Sequence, residues 1–436
     1  MLRKILAVFC VLLCVFSLCG CSLFTADTDE LLSPPSLSGD MKPIAQAISE
    51  SEKANYTFRY PSRGDYRSAV VQHDINKDGI LEAFAFYSTQ ENENVLMHIN
   101  VVEMRNGEWK SITSQSITAG GVDRVDFCDI DNDGSDEVFV GWEIYGNSEL
   151  QMAVYNFGEN ALTQLMLEKY THYVTCDLNG DEDTEILVIK ANPTESINTA
   201  HVFSITPKGV SQISSCELDS TVKTFNHPVI STLSTGKTAV YIDEIKGVGA
   251  VTEVLYMEKE KLLNPLLDTH AKENFQTLRS ANLETYDING DGVLEIPVQQ
   301  EVPTVSKVSG ETIYLTNWCS FNGEALTIQL SSLINTTDGY YYSIPKKWSG
   351  KIAVLKDSEN KLMEIYKYNP KKKTTGERLV YFKAVKKDDW DKGVYSKQDV
   401  FEIVNNGKTS YICHLSSSAE KDGIDSTKIK NDFKIY

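Results

Sequence analysis

Four segments of the chain repeat one spacing of acidic and amide side chains, and this repeat constrains the fold more than any other feature. The segments read DINKDGILEAFAF, DIDNDGSDEVFVG, DLNGDEDTEILVI and DINGDGVLEIPVQ, and they begin at Asp74, Asp129, Asp177 and Asp287. They align without gaps as D-x-[ND]-x-D-x-x-x-E, and each continues into residues typical of a β-strand. Such a repeat predicts a series of similar β units.

The spacing suits calcium, which takes six to eight oxygen ligands at about 2.3–2.6 Å. Side-chain oxygens at loop positions 1, 3, 5 and 9, with the backbone carbonyl at position 7, can surround one ion. Position 6 is Gly in three copies, which allows a sharp turn, but it is Glu182 in the third copy, which is therefore predicted to be the weakest site. Up to four structural calcium ions are predicted, and the predicted ligands, in loop order, are Asp74, Asn76, Asp78, Ile80 and Glu82; Asp129, Asp131, Asp133, Ser135 and Glu137; Asp177, Asn179, Asp181, Asp183 and Glu185; and Asp287, Asn289, Asp291, Val293 and Glu295.

An EF-hand begins with a similar pattern but needs an acidic residue at position 12 and flanking helices. Position 12 is instead apolar in every copy, being Ala85, Val140, Val188 and Val298. The repeat resembles FG-GAP/VCBS-type repeats over roughly residues 60–335. That resemblance implies an integrin-α-like β-propeller in which calcium loops support the blades.

The spacing of the loops predicts the number of units. The first aspartates are 55, 48 and 110 residues apart, so a unit without a metal loop is expected between the third and fourth copies. The segment His227–Ile245 fits, because two apolar stretches flank a short Ser-Thr-Gly-Lys turn. The predicted fold is mainly β, with a propeller of about five blades over residues 59–336 followed by a small α+β domain.

Charge supports a boundary before the C-terminal segment. Residues 340–436 contain 20 basic and 13 acidic side chains, whereas residues 1–339 contain 22 basic and 48 acidic ones. Residues 337–436 are therefore predicted to form a separate basic domain, and the acidic remainder argues against a nucleic-acid partner. Strands are predicted at Tyr340–Trp348, Lys351–Lys356, Leu362–Tyr368 and Leu379–Val385, and helices at Met41–Lys53, within Lys259–Arg279, at Ser396–Asn405 and at Ser426–Phe433.

The N-terminus predicts export. Arg3 and Lys4 precede the apolar run Ile5–Leu18, which is too short for a stable membrane span and is typical of a secretory signal. The following Leu18-Cys19-Gly20-Cys21 resembles a bacterial lipobox, although Cys19 departs from the usual pattern. The resemblance implies cleavage after residue 20 and lipidation of Cys21. Residues 21–58 are predicted to be a tether and a short helix, and the protein is expected on the outer face of a bacterial membrane.

No catalytic motif accompanies the repeat. The histidines lack metal-protease spacing, and the chain has no nucleophile elbow or phosphate-binding loop. The five cysteines beyond the lipobox lack a CxxC spacing and are predicted to be buried free thiols. Arg63-Gly64-Asp65 spells an integrin-recognition tripeptide, but a Gly-Asp turn before a strand explains it.

These features favour a non-enzymatic lipoprotein that binds a protein or glycan, with calcium stabilising its scaffold. Two alternatives stay open from the sequence. One is a carbohydrate-active or other hydrolytic enzyme on a propeller scaffold, and the other is a structural subunit of the cell envelope.

Overall fold

A computed structural model describes residues 41–91, 94–144, 149–158, 160–192, 194–206, 209–280, 283–305 and 312–435. The signal segment, the lipobox and Cys21 lie outside these residues. The chain forms two compact units. The first contains the described parts of Met1–Tyr60, Ser68–Asp74 and Asp78–Ile117, and the second contains Pro61–Arg67, Ile75–Lys77 and Thr118–Tyr436. The prediction of a mainly β chain is confirmed.

The first unit combines one helix with one antiparallel sheet. Helix α1 (Lys42–Ser51) confirms the prediction for Met41–Lys53; it has Pro43 in its first turn and buries Ile44, Ala47 and Ile48 on one face. These residues pack with apolar side chains of the sheet. The strands of this first sheet are β1 (Tyr56–Phe58), β2 (Val70–His73), β3 (Glu82–Glu91), β4 (Asn94–Arg105) and β5 (Glu108–Thr118).

The second unit begins with three antiparallel sheets, each made from strands that follow one another in the chain. The second sheet contains β6 (Gly121–Cys128), β7 (Glu137–Glu143), β8 (Leu150–Gly158) and β9 (Ala161–Tyr170). The third contains β10 (His172–Cys176), β11 (Glu185–Asn192), β12 (Ile197–Thr206) and β13 (Gly209–Glu217). The fourth contains β14 (Thr224–Phe225), β15 (Val229–Thr232), β16 (Thr238–Lys246), β17 (Gly249–Glu258) and β18 (Lys261–Leu263).

The fourth sheet contains the predicted unit without a metal loop. Strands β15 and β16 pair directly, and the Leu233 N–H donates to the Lys237 carbonyl across the short turn that joins them. The helix predicted within Lys259–Arg279 is wrong, because this segment forms β18 and then turns. Side chains explain the turns, since Asp268 accepts backbone N–H groups of His270 and Ala271 and so competes with helical hydrogen bonds.

The fifth and sixth sheets share one apolar core. The fifth contains β19 (Ile296–Glu301), β20 (Tyr314–Phe321), β21 (Leu326–Asn335), β22 (Tyr340–Ser343) and β28 (Phe433–Ile435). The sixth contains β23 (Ile352–Asp357), β24 (Leu362–Asn369), β25 (Thr374–Lys386), β26 (Phe401–Asn405) and β27 (Thr409–Leu415). Because β21 pairs with β22, backbone hydrogen bonding continues across the domain boundary placed at residue 336 by the sequence.

The C-terminal segment also contains short helices, namely α2 (Lys387–Asp391), α3 (Ser417–Lys421), α4 (Ser426–Asp432) and a 3₁₀ turn at Lys346–Trp348. Helix α4 confirms the prediction at Ser426–Phe433. The helix predicted at Ser396–Asn405 is wrong, because Phe401–Asn405 pairs with β27 as a strand. Its Phe-Glu-Ile-Val sequence has the aromatic and β-branched character that strands favour.

The cysteines of the described residues are all free, as predicted; Cys319 and Cys413 are buried, whereas Cys128, Cys176 and Cys216 are partly exposed. No helix within the described ranges combines the length and the apolar character that a membrane span requires.

Candidate functional site

The first three Asp-rich loops each connect two antiparallel strands, and the fourth lies between an isolated antiparallel bridge and β19. All four loops are closed by residues at the same two positions. The residue before the loop lies opposite the glutamate at position 9, and this glutamate is buried in every copy. The closing pairs are His73 with Glu82, Cys128 with Glu137, Cys176 with Glu185, and Tyr286 with Glu295. The loops are therefore hairpin connections that turn an acidic side chain back into the protein.

The four loops share one backbone path. Positions 4 and 6 are left-handed in every copy, the residues being Lys77, Asn132, Gly180 and Gly290 at position 4 and Gly79, Gly134, Glu182 and Gly292 at position 6. Glu182 has a φ of 74°, a conformation that favours glycine. The third loop thus keeps the shared path although its sequence departs at position 6.

A common set of hydrogen bonds holds this path. The carboxylate at position 1 accepts the N–H of position 6 in all four loops, from Gly79 at 2.9 Å, Gly134 at 3.1 Å, Glu182 at 3.1 Å and Gly292 at 2.8 Å. The carboxylate at position 5 accepts the N–H of position 7, from Ile80 at 2.8 Å, Ser135 at 2.8 Å, Asp183 at 2.9 Å and Val293 at 2.9 Å. The same two backbone hydrogen bonds therefore hold the carboxylates at positions 1 and 5 in place in every loop.

The second loop has a donor set that fits a metal ion. Ligand oxygens of Asp129, Asp131 and Glu137 lie within 4.8 Å of one another, so all three can reach one calcium ion at bonding distance. Asp129 Oδ1 is buried and accepts no hydrogen bond from the described residues. An ionised carboxylate oxygen buried without a donor is costly, and a bound cation satisfies it.

Neighbouring groups set the electrostatics of this loop. Burial is the main cause that raises the pKa of both Asp131 and Glu137, and nearby loop carboxylates add to it. Glu137 is held in place because Oε2 accepts the Ile130 N–H at 3.0 Å and Oε1 accepts Asn156 Nδ2 at 3.0 Å. Lys77 Nζ lies 3.3 Å from Asp129 Oδ2, so a cationic group of the protein already offsets part of the local negative charge.

The third and fourth loops hold their acids differently. Asn179 Nδ2 donates to Asp181 at 3.0 Å and to Glu185 at 2.8 Å. Asn289 makes the equivalent bonds to Asp291 and Glu295, both at 3.0 Å. In these loops the amide N–H₂ bridges the two carboxylates, and rotation of the amide would exchange this donor for an oxygen ligand. The residues therefore fit calcium in these loops if the asparagine side chain turns over.

In the first loop, Asp74 and Asp78 belong to the first unit, where the Asp78 N–H donates to Asp74 Oδ1 at 3.0 Å. Asn76 belongs to the second unit. The Asp74 carboxylate thus receives the same kind of backbone donors as its counterparts in the other loops.

A polar cleft of about 320 Å³ in the second unit was not predicted. Its wall includes Arg63, Asp65, Arg124, Asp126, His172 and His227. These residues come from four segments far apart in the chain, so no local spacing could have revealed them. Gly64 makes the predicted turn with a φ of 80°, and the Arg63 guanidinium at the cleft wall donates to Asp123.

One family model matches part of the chain. Residues 74–140 match the FG-GAP-like repeat. The match spans the first two loops and the strands between them, and it supports the predicted repeat there. No curated protein matches the chain.

Solved structures with some similarity are remote. A rhamnogalacturonan lyase from Bacillus licheniformis aligns with 12% identity and a TM-score of 0.32 over 74% of this chain and 77% of the lyase. Sqt1 from Chaetomium thermophilum aligns with 10% identity and a TM-score of 0.32 over 74% of each chain. The exotype rhamnogalacturonan lyase YesX aligns with 11% identity and a TM-score of 0.29, covering 74% of this chain and 65% of the lyase. TM-scores this low support no conclusion about fold or activity.

Proposed function

We propose that this chain is a calcium-stabilised binding module, exported and anchored to the outer face of a bacterial membrane through a lipid on Cys21. Its ligand is a protein or a glycan. The observation that carries the calcium part is the second loop, where Asp129 Oδ1 is buried without a donor from the described residues and faces two further acids within ligand distance.

The repeated sheets support a propeller scaffold. Sheets of four or five antiparallel strands follow one another along the chain, as successive blades do. The first three Asp-rich loops join two strands of one sheet, and the fourth precedes the first strand of its sheet, so calcium would stabilise connections within single blades. The fourth sheet has a short turn in place of the loop, and we infer from this that the ions support the scaffold and take no part in ligand binding.

Calcium would supply positive charge to loops that concentrate negative charge. In the second loop, Asp129, Asp131 and Glu137 would hold it, and Asp133 would continue to fix the turn through the Ser135 N–H. At about 1 mM calcium and a Kd near 0.1 mM, each occupied site stabilises the folded state by about 1–2 kcal/mol. Several occupied sites together would therefore raise Tm substantially.

Thermal unfolding of the full-length protein tests the calcium proposal. We expect Tm in excess EGTA to lie about 5 °C or more below Tm in 2 mM calcium, with magnesium much less effective. Asp129→Asn should remove part of this shift, whereas Asp388→Asn, at an exposed position outside the loops, should keep all of it. Equal Tm values in EGTA and calcium, with no calcium uptake by titration calorimetry, would overturn the proposal.

Labelling tests the anchor. In cells supplied with a clickable palmitate analogue, the wild-type protein should incorporate label and sediment with membranes. Cys21→Ala should abolish both, and Cys128→Ala, which changes a thiol in the folded region, should abolish neither. Label retained in Cys21→Ala would place the lipid elsewhere or exclude the anchor.

A further inference from the structure

We propose that the polar cleft binds a neutral sugar residue through hydroxyl hydrogen bonds to Asp65, His227 and the two guanidinium groups. This inference rests on the proposed role as a binding module and assigns the site and the class of ligand. It uses none of the loop acids.

Two aspartates, the buried Asp123 and the partly exposed Asp126, hold the cationic groups of the cleft in place. Asp123 is 2% exposed and accepts Arg63 Nε at 2.6 Å and Nη2 at 2.7 Å, together with the Tyr170 hydroxyl at 2.5 Å. Two parallel bonds of this kind fix the plane of a guanidinium. The position of Arg63 is therefore set before any ligand arrives.

The second guanidinium is held in a similar way. Arg124 Nη2 donates to Asp126 Oδ1 at 3.0 Å, and the guanidinium lies 4.4 Å from the centre of the Tyr173 ring. The Tyr173 hydroxyl donates to the other oxygen of Asp126. Because these side chains are already held in position, little conformational entropy is lost when a small ligand binds.

Other polar groups of the cleft have unused hydrogen-bonding capacity. Asp65 is exposed, and its carboxylate makes no hydrogen bond or ion pair with any residue in the described ranges. The His227 ring contacts His172 edge to face, yet it too has no hydrogen bond to the described part of the chain. His172 Nε2 lies 3.1 Å from the Phe225 carbonyl, so it carries the proton and leaves Nδ1 as an acceptor. The wall thus offers an anionic acceptor, imidazole nitrogens and guanidinium donors together.

The charge of the wall points to a neutral ligand. Its two guanidiniums lie among the carboxylates of Asp65, Asp123 and Asp126, so the wall has no excess of positive charge. Burial lowers the pKa of His172 to about 4, and it is also the main cause that lowers the pKa of His227, with Arg124 contributing. Both rings are therefore neutral at pH 7. A phosphate or carboxylate would meet the acids, and an amine would meet the arginines.

Size and polarity then select a sugar. A volume of about 320 Å³ is at the lower end of ligand pockets, which span roughly 300–1,000 Å³. A small neutral molecule that can satisfy acceptors and donors on all sides is polyhydroxylated. A terminal sugar ring of a glycan has this character, and its hydroxyls can donate to Asp65 while accepting from an arginine.

Saturation-transfer NMR and titration calorimetry on the calcium-loaded full-length protein test the inference. The probes are the methyl glycosides of glucose, galactose, mannose and N-acetylglucosamine, with galacturonic acid and glucosamine as charged counterparts. We expect at least one neutral glycoside to bind, and to bind more tightly than the charged sugars. Because His172 and His227 are neutral at and above pH 7, its affinity should be the same at pH 7 and pH 8.

Asp65→Asn is the informative variant, because its side chain is exposed and supports no described contact, so the fold is preserved. Loss of a hydrogen bond to a charged acceptor should weaken binding roughly tenfold or more. Asp388→Asn is the matched control, and its affinity should equal that of the wild type. Melting curves of both variants establish that they are folded.

Three results would overturn the inference: no binding by any neutral probe, equal affinity of the wild type and Asp65→Asn, or a preference for a charged sugar. These failures differ from failure of the proposed function. A protein that loses stability in EGTA and captures a ligand unaffected by Asp65→Asn would keep its role as a binding module, with the ligand at another surface.

Discussion

The fourth sheet contains a buried pair of glutamates whose replacement should make the protein less sensitive to pH. Glu244 on β16 and Glu253 on β17 are both 0% exposed. They lie on the sheet face that carries Val240, Ile242 and Val251, all members of one apolar core. Glu253 Oε1 accepts the Asp219 N–H at 3.1 Å and Asn264 Nδ2 at 2.6 Å, whereas neither oxygen of Glu244 has a donor among the described residues.

Burial, followed by the adjacent Glu253 carboxyl, raises the pKa of Glu244 well above its ordinary value. The folded state therefore keeps a proton on Glu244 at pH values where the unfolded chain has released it. Since the folded state binds more protons in this window, stability falls as pH rises above the unfolded pKa of about 4.3. One such proton gives a slope of up to about 1.4 kcal/mol per pH unit.

Glu244→Gln removes this slope, because the amide is neutral at every pH and can donate to Glu253. At pH 5 we expect the variant and the wild type to have similar free energies of unfolding. The difference in favour of the variant should then grow with pH, by up to about 1.4 kcal/mol per pH unit. The assay is urea denaturation at pH 5, 6, 7 and 8 in constant EGTA.

The loop carboxylates also respond to pH, but their contribution is common to both proteins and cancels in the difference. Glu301→Gln, at an exposed position on β19, is the matched control and should show a constant difference from the wild type across the same range. A difference for Glu244→Gln that does not grow with pH, or a variant less stable at pH 8, would refute the reasoning.

Two further predictions concern glycine positions. A Cβ at Gly141 would lie 2.0 Å from the Tyr170 hydroxyl, so Gly141→Ala should lower the free energy of unfolding by about 1–3 kcal/mol, while Gly158→Ala, whose Cβ meets only ordinary contacts, should cost much less in the same urea denaturation. Equal losses for the two variants would contradict this account of the packing. Glu182→Gly should stabilise the protein in EGTA by about 0.5–1 kcal/mol, because Glu182 occupies a left-handed conformation that glycine adopts without strain. A midpoint at or below that of the wild type would show that the conformation is not strained.

The loops and their flanking strands could be predicted from sequence because their determinants are local. A position 1 aspartate reaches the N–H five residues later, and the glutamate at position 9 pairs with the residue just before the loop. Both contacts join residues separated by a constant, short distance in the sequence. The same reasoning identified the turn that replaces the loop in the fourth sheet.

Two helices were predicted wrongly. In both segments other hydrogen bonds, and not the spacing of apolar residues, determine the backbone conformation. In the segment after β18, Asp268 and Asn274 bind nearby backbone N–H groups and form turns. At Phe401–Asn405, pairing with β27 supplies hydrogen bonds that a short helix could not match. The pairing partners lie 5 to 12 residues further along the chain, and helical periodicity does not reveal them.

The sequence by itself determined the repeat, the loops with their acidic side chains, and the mainly β character, since each depends on residues a few positions apart. Only the tertiary structure decided which carboxylates lose their donors, as Asp129 Oδ1 and Glu244 do. It also decided that Arg63, Asp65, Arg124 and His227 share one cleft. The physical reason is that burial and charge balance depend on neighbours brought together by sheet packing, and those neighbours lie up to 164 residues apart in the chain.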